Sequence, residues 1–237
     1  MSSHKPTPQF ELAGVNAMLV RMGNQMRSEM PTYLKQIRDL LLRDYGELIT
    51  QVTPAYNTLL VEYDPRACRM YDLQQLLEKV LAEMPYEENA SCRKLVEIPV
   101  CYAASYAPDL EQVARHCKLT TDEVIEIHRA TDYQVYALGF APGFAYLGEL
   151  DKRLQVPRLD TPRQQVPAGA VAIAEQQTAV YPSQSPGGWN LIGFSPMQWF
   201  NWQEEPMTPV EVGDCVRFVK VSEAEMKSLE KQGMPRT

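Results

Sequence analysis

Hydrophobic positions in the first third of the chain alternate between two periods. Phe10 to Arg21 carries strand-like apolar residues around Gly14, after which Leu34, Ile37, Leu40 and Leu41 recur at helical spacing, with Pro31 near the start and Gly46 as the stop. Leu48 to Thr53 and Tyr56 to Tyr63 are short β-rich runs separated by Pro54-Ala55. Asp72 is then placed to cap a helix in which Leu73, Leu76, Leu77, Val80, Leu81 and Met84 share one face. Arg93 to Tyr102 reads as a last strand. The order strand, helix, strand, strand, helix, strand predicts a split βαβ, ferredoxin-like α/β sandwich. Such a unit hosts many chemistries and identifies none.

Beyond about residue 100 the pattern changes. Asp109 to Cys117 and Thr121 to Arg129 predict two short helices at 109–117 and 121–129, the second with Thr120 before it and Asp122 and Glu123 in its first turn, where negative charge suits the helix dipole. Tyr133 to Leu138 alternates as a strand does. Residues 139–196 hold seven of the twelve glycines and seven of the eighteen prolines, and short strands between such turns predict a β-barrel or sandwich. Val210 to Phe218 reads as a turn and a closing strand, Ser222 to Gln232 as a charged terminal helix. The expected organisation is therefore α+β, with one unit over 1–92 and a β-barrel domain over 93–237.

Composition narrows the function classes. The chain has 237 residues, 45% of them hydrophobic and 22% charged, and 23 Lys+Arg against 30 Asp+Glu leave a formal charge of -7. No basic run is present, so nucleic-acid binding, which needs clustered cations to displace counterions, is not expected. Met1 to Gln9 is polar and no segment approaches a membrane-spanning run, which predicts a cytoplasmic protein without a membrane partner. The five cysteines are dispersed and form no C-x-x-C pair, so neither structural zinc nor a disulfide framework is expected. Cys101, inside Ile98-Pro99-Val100-Cys101-Tyr102, reads as a nucleophile or as a buried reduced thiol.

Candidate chemistry lies in the glycine- and proline-rich half. Neither a phosphate loop nor a dinucleotide fingerprint is written there. Arg158 and Arg163, each preceded by proline, present rigid donor forks to a carboxylate or phosphoryl group, or else a solvated or salt-bridged pair. His128, at the end of a predicted helix, is either a proton-transfer group or a packed ring. His116 in a short amphipathic helix and His4 near the terminus have weaker claims.

Four strings in this half occur together. They are Gly139-Phe140-Ala141-Pro142-Gly143-Phe144-Ala145-Tyr146-Leu147-Gly148, the two Pro-Arg pairs, Val166-Pro167-Ala168-Gly169, and Ser185-Pro186-Gly187-Gly188-Trp189. With Tyr63-Asp64-Pro65, Ile98 to Tyr102 and Pro108-Asp109-Leu110, they resemble the family of 5-oxoprolinase B subunits, which includes kinase A inhibitor (KipI) and allophanate hydrolase subunit 1. The resemblance covers nearly the whole chain. It implies a ferredoxin-like N-terminal domain followed by a cyclophilin-like β-barrel. It also implies two partners, a larger KipA-like C subunit and a LamB/YcsF-like A subunit.

The resemblance further implies ATP, with Mg in the assembled complex, because opening the unstrained lactam of 5-oxoproline to glutamate is uphill. One expected pocket collects Phe140, Pro142, Gly143, Phe144, Tyr146, Pro167, Gly169, Ser185, Pro186, Gly187, Gly188 and Trp189 as substrate-binding residues. Arg158 or Arg163 would hold an anion, His128 would act as acid or base, and the N–H groups of Gly187 and Gly188 would face developing negative charge. Two alternatives follow from the same resemblance: a binding module that inhibits a sensor histidine kinase, and a component of an amide-hydrolysing system for allophanate or urea. The chain departs from the family pattern at Ala103-Ala104-Ser105, usually Gly-Gly-Glu, and at Glu149, Ala172, Glu175 and Ala179, usually glycine. Phe194 stands where arginine is frequent.

Overall fold

The computed structural model describes residues 5–24, 27–87, 92 and 94–232; His4 and Arg93 lie outside them. The chain divides into two compact units, Met1–Arg93 and Lys94–Thr237.

The first unit contains β1 (Gln9–Leu12), β2 (Ala17–Arg21), α1 (Met30–Tyr45), β3 (Ile49–Ala55), β4 (Thr58–Tyr63) and α2 (Met70–Glu83). Its sheet is antiparallel, in the order β1-β2-β4-β3. The stretch expected to be one strand is a hairpin pairing Gln9 with Arg21 and Leu12 with Met18, and Gly14 at φ 137° occupies a conformation that side chains rarely adopt. Helix α2 begins at Met70 after Arg69, so Asp72 sits in its first turn instead of capping it and pairs with the Arg69 guanidinium. The apolar stripes of both helices meet the sheet in one core containing Leu34, Ile37, Leu41, Val20, Val61, Leu73 and Leu77.

A second correction concerns the last strand of that sheet. Residues Leu95–Val100 form β5, which pairs in parallel with β13 (Cys215–Lys220), Leu95 opposite Cys215 and Val100 opposite Lys220. The edge position in the first sheet is filled by β1. Local periodicity marks a strand but carries no information about a partner more than a hundred residues away.

The second unit adds α3 (Leu110–Cys117), α4 (Thr121–Arg129), β6 (Asp132–Leu138), β7 (Ala145–Gly148), β8 (Arg163–Val166), β9 (Ala170–Ala174), β10 (Gln177–Val180), β11 (Ser185–Gly187), β12 (Asn190–Phe194) and α5 (Glu223–Gln232). Seven strands run in the order β12-β9-β10-β7-β6-β13-β5. The two edges meet where the Cys101 N–H donates to the Phe194 carbonyl at 2.9 Å and the Phe194 N–H returns to the Cys101 carbonyl at 3.0 Å. The result is a nearly closed, barrel-like sheet. Thr120 and Glu123 form a capping box on α4: the Glu123 N–H donates to Thr120 Oγ1 at 3.2 Å, and the Thr120 N–H donates to Glu123 Oε2 at 2.7 Å.

Strand β9 is buried on both faces, and this positions the candidate site. Val171 and Ile173 point into the barrel core, whereas Ala170, Ala172 and Ala174 belong to a second apolar cluster with Phe144, Tyr181 and Trp189. In β10 Val180 joins the first cluster and Ala179 the second. Small side chains at 172 and 179 leave space for aromatic rings on the outer face.

Among the described residues no helix is long and apolar enough to cross a membrane, and no group of three or more His, Cys, Asp or Glu is arranged to hold a metal ion. No disulfide framework is expected from the sequence, yet Cys215 is disulfide-bonded, while Cys68, Cys101 and Cys117 are free.

Candidate functional site

Four of the expected aromatic residues converge on the outer face of the barrel. Phe144, the centre of the group, lies 5.3 Å from Phe140, 4.9 Å from Tyr146 and 5.8 Å from Trp189 between ring centroids, and Tyr146 lies 6.2 Å from Trp189, all edge to face. Tyr181, which the expected pocket left out, completes the cluster 5.4 Å from Phe144. Phe144, Tyr181 and Trp189 are buried, Tyr146 is half-buried, and Phe140 stays exposed at φ 72°. An exposed aromatic side chain held in the left-handed region is strained, and such positions concentrate in functional loops.

The β8/β11 ribbon lies against this cluster. Arg163 is opposite Gly187 and Ser185 is opposite Val166. A side chain at 187 would run into the Tyr181 hydroxyl, so glycine is required for that close approach. Burial raises the Tyr181 hydroxyl above the ordinary tyrosine range, against the pull of the nearby Trp189 backbone N–H and of the Arg158 and Arg163 charges.

Gly169, at φ 87°, donates its N–H to the Tyr181 carbonyl at 2.7 Å. Gly143, at φ 83°, packs on the Trp199 carbonyl, where an added Cβ would approach to 2.8 Å. Gly188 accepts from the Leu159 N–H at 2.7 Å, and Pro142, Pro167 and Pro186 are exposed on the surrounding turns.

The two arginines differ. Arg163 Nη2 donates to Asp109 Oδ1 at 2.6 Å, and Asp109 Oδ2 accepts the Leu191 N–H at 2.7 Å, so one buried carboxylate ties β8 and β12 to the start of α3. Arg163 Nη1 and Ser185 Oγ are buried with no hydrogen-bond partner among the described residues. Two orphaned donors on the same ribbon suit an acceptor such as a carboxylate oxygen. Arg158 is exposed and reaches Glu175 through Nε at 3.3 Å.

His128 is not part of this cluster. It is 0% exposed, its ring stacks on Phe218 at 4.5 Å, and its nitrogens contact the Tyr102 hydroxyl at 2.8 Å and Thr178 Oγ1 at 2.9 Å. Because Thr178 donates its own proton to the Ala172 carbonyl, its oxygen must accept from Nε2–H, which leaves Nδ1 to accept from Tyr102. Burial pushes the ring down to about 3. A neutral imidazole sealed from solvent cannot exchange a proton with a substrate, so the acid–base expectation gives way to a packing role.

At the family's Gly-Gly-Glu position, Ser105 Oγ donates to Glu223 Oε1 of α5 at 2.7 Å. Ala103, Ala104 and Glu223 border a cavity of about 350 Å³ there.

A barrel-like sheet with this loop cluster places the chain in a class: the family described as carboxyltransferase domain, subdomains C and D, matches residues 8–210. The 5-oxoprolinase B subunit of Bacillus subtilis is 40% identical over 232 residues, covering 91% of this chain and 93% of that protein. The 5-oxoprolinase B subunit of Escherichia coli O157:H7 is 45% identical over 74% of this chain and 79% of its own length. The crystal structure of TTHA0988 superposes with a TM-score of 0.76 at 37% identity, covering 86% of this chain and 40% of that one, so this chain spans less than half of it. The chain belongs to the family of 5-oxoprolinase B subunits.

Proposed function

We propose that this chain is the B subunit of an ATP-dependent 5-oxoprolinase, which opens the lactam of 5-oxo-L-proline to L-glutamate together with the A and C subunits. The observation that carries the reading is the nearly end-to-end match to the Bacillus subtilis protein. The barrel-like sheet is then the cyclophilin-like domain of that family, and the first unit its ferredoxin-like domain.

In this reading the loop cluster supports the substrate side of a composite site. The orphaned Arg163 Nη1 and Ser185 Oγ take the carboxylate, while Asp109 fixes the guanidinium plane so that little orientation is lost on binding. Tyr146 and Phe140 offer the accessible aromatic edges for a small ring. A nucleotide does not fit the residues present. The glycine-rich string at 139–148 leads into strand β7 and not into a helix N-terminus. ATP and Mg are therefore assigned to the assembled complex, and no step is routed through them here.

The test is reconstitution with the A and C subunits, following ATP-dependent glutamate release from 5-oxoproline. Omitting this chain should abolish turnover, and Arg163→Lys, which keeps the charge but loses the fork, should reduce it at least tenfold. Undiminished release without the chain would defeat the proposal. Lowered autophosphorylation of a histidine kinase, without oxoproline turnover, would favour the inhibitor alternative.

A further inference from the structure

A cavity of about 240 Å³ lies beside Arg158, between α3 and residues 156–160. Gln112 and His116, one turn apart on α3, face it from one side, Arg158 and Asp160 line the other, and Asn190 of β12 contributes from the barrel. The Asn190 side-chain amide donates to the Pro157 carbonyl at 2.9 Å and to the Ile173 carbonyl at 3.3 Å, which fixes the segment that carries Arg158. That space admits a molecule of amino-acid size.

Arg158 is held more loosely than several surface arginines of the chain, as is Arg115, which lies 3.9 Å from Glu111. Arg43, Arg66, Arg69, Arg153 and Arg217 each grip a carboxylate through both Nε and Nη2, at distances between 2.6 and 3.0 Å. Arg158 meets Glu175 at 3.3 Å through Nε, and among the described residues neither of its terminal nitrogens has a hydrogen bond. Both partners are mostly exposed, 58% and 62%, so the pair is weak and separable. The open edge of the guanidinium is a fork for a planar carboxylate. Asp160 lines the same cavity, where its negative charge would disfavour a dianion and its oxygens would offer an acceptor for an N–H.

We propose that this cavity binds a small monocarboxylate bearing an N–H next to its carboxylate, an α-amino acid or its cyclic amide, and that Glu175 is an internal competitor for Arg158. Its lining contains neither Arg163 nor Ser185, and binding there needs neither partner proteins nor turnover. Isothermal titration of the full chain with 5-oxoproline, L-glutamate and inorganic phosphate tests it, with thermal unfolding as the check on each variant.

At least one of the two carboxylates should bind. Arg158→Ala should weaken that binding at least tenfold, and Glu175→Gln should tighten it roughly two- to fivefold, the worth of an exposed ion pair. Binding of glutamate alone supports the cavity while leaving the oxoprolinase reading to its own assay. Phosphate binding as tightly as the carboxylates, no carboxylate binding at millimolar concentration, or binding indifferent to both substitutions overturns the proposal.

Discussion

Arg158 and Arg163 follow proline in the same short segment, yet they end in opposite electrostatic settings. Arg163 donates at 2.6 Å to a carboxylate that is 7% exposed and also accepts a strand N–H. Arg158 touches an exposed carboxylate at 3.3 Å, with its terminal nitrogens unbonded among the described residues. The same dipeptide therefore serves once as a structural tie and once as an open donor. Desolvation decides which, since an ion pair in high dielectric is worth little, and a buried carboxylate left without its partner, or a buried cation without its carboxylate, is costly.

The sharpest way to break this contrast is Asp109→Ala. It leaves the Arg163 guanidinium and the Leu191 N–H without acceptors, so urea unfolding should show a loss of about 3 kcal/mol, with Arg163 30% exposed keeping the effect near the low end of the range for buried pairs. Arg158→Ala in the same assay should change stability by less than about 1 kcal/mol. Equal losses would erase the distinction between the two arginines.

The sealed histidine offers the next largest effect. Its folded value of about 3 lies below the ordinary 6.5, so under acid the unfolded chain takes a proton that the folded chain refuses. The stability is fully present above pH 6.5 and is lost as pH falls towards 3, at about 1.4 kcal/mol per unit for this group. His128→Gln should cost about 2 kcal/mol at neutral pH through the disturbed Tyr102 and Thr178 bonds. It should also remove that slope, so that between about pH 7.5 and about pH 5.5 the variant loses roughly 1.4 kcal/mol less than the parent. An unchanged slope would mean that the ring reaches solvent.

Local signals are the legible ones. The stripe of Leu34, Ile37 and Leu41 and the Thr120–Glu123 pair mark helices α1 and α4 because capping and the helical period act within a few residues. The hairpin in residues 9–21 reads as one strand in the sequence, since a turn around Gly14 leaves the apolar alternation nearly intact. The pairing of β5 with β13 and the entry of Tyr181 into the aromatic cluster depend on residues distant in sequence, which no window contains. Among the expected site residues, the strings around Phe144 and Trp189 are brought together, 5.8 Å apart between ring centroids. His128 fails as an acid–base candidate because a helix C-terminus states only the local field, not that Phe218 and Thr178 close over the ring.

The smallest expected effect tests the open side of the comparison. Glu175 sits at φ 55°, a region costing a non-glycine residue about 1 kcal/mol, and its ion pair with Arg158 returns roughly 0.2 to 1 kcal/mol. Glu175→Gln removes the pair alone and should destabilise by no more than about 1 kcal/mol. Glu175→Gly removes the pair and relieves the backbone, but gives the unfolded chain extra freedom worth about 0.5 to 1 kcal/mol. These terms nearly cancel, so the glycine variant should unfold within about 0.5 kcal/mol of the parent and no lower than the glutamine variant. A loss above about 2 kcal/mol in either variant would place the Arg158 pair in the same buried class as Arg163 and Asp109. Arg158 would then be another structural tie, and no open fork would face the cavity.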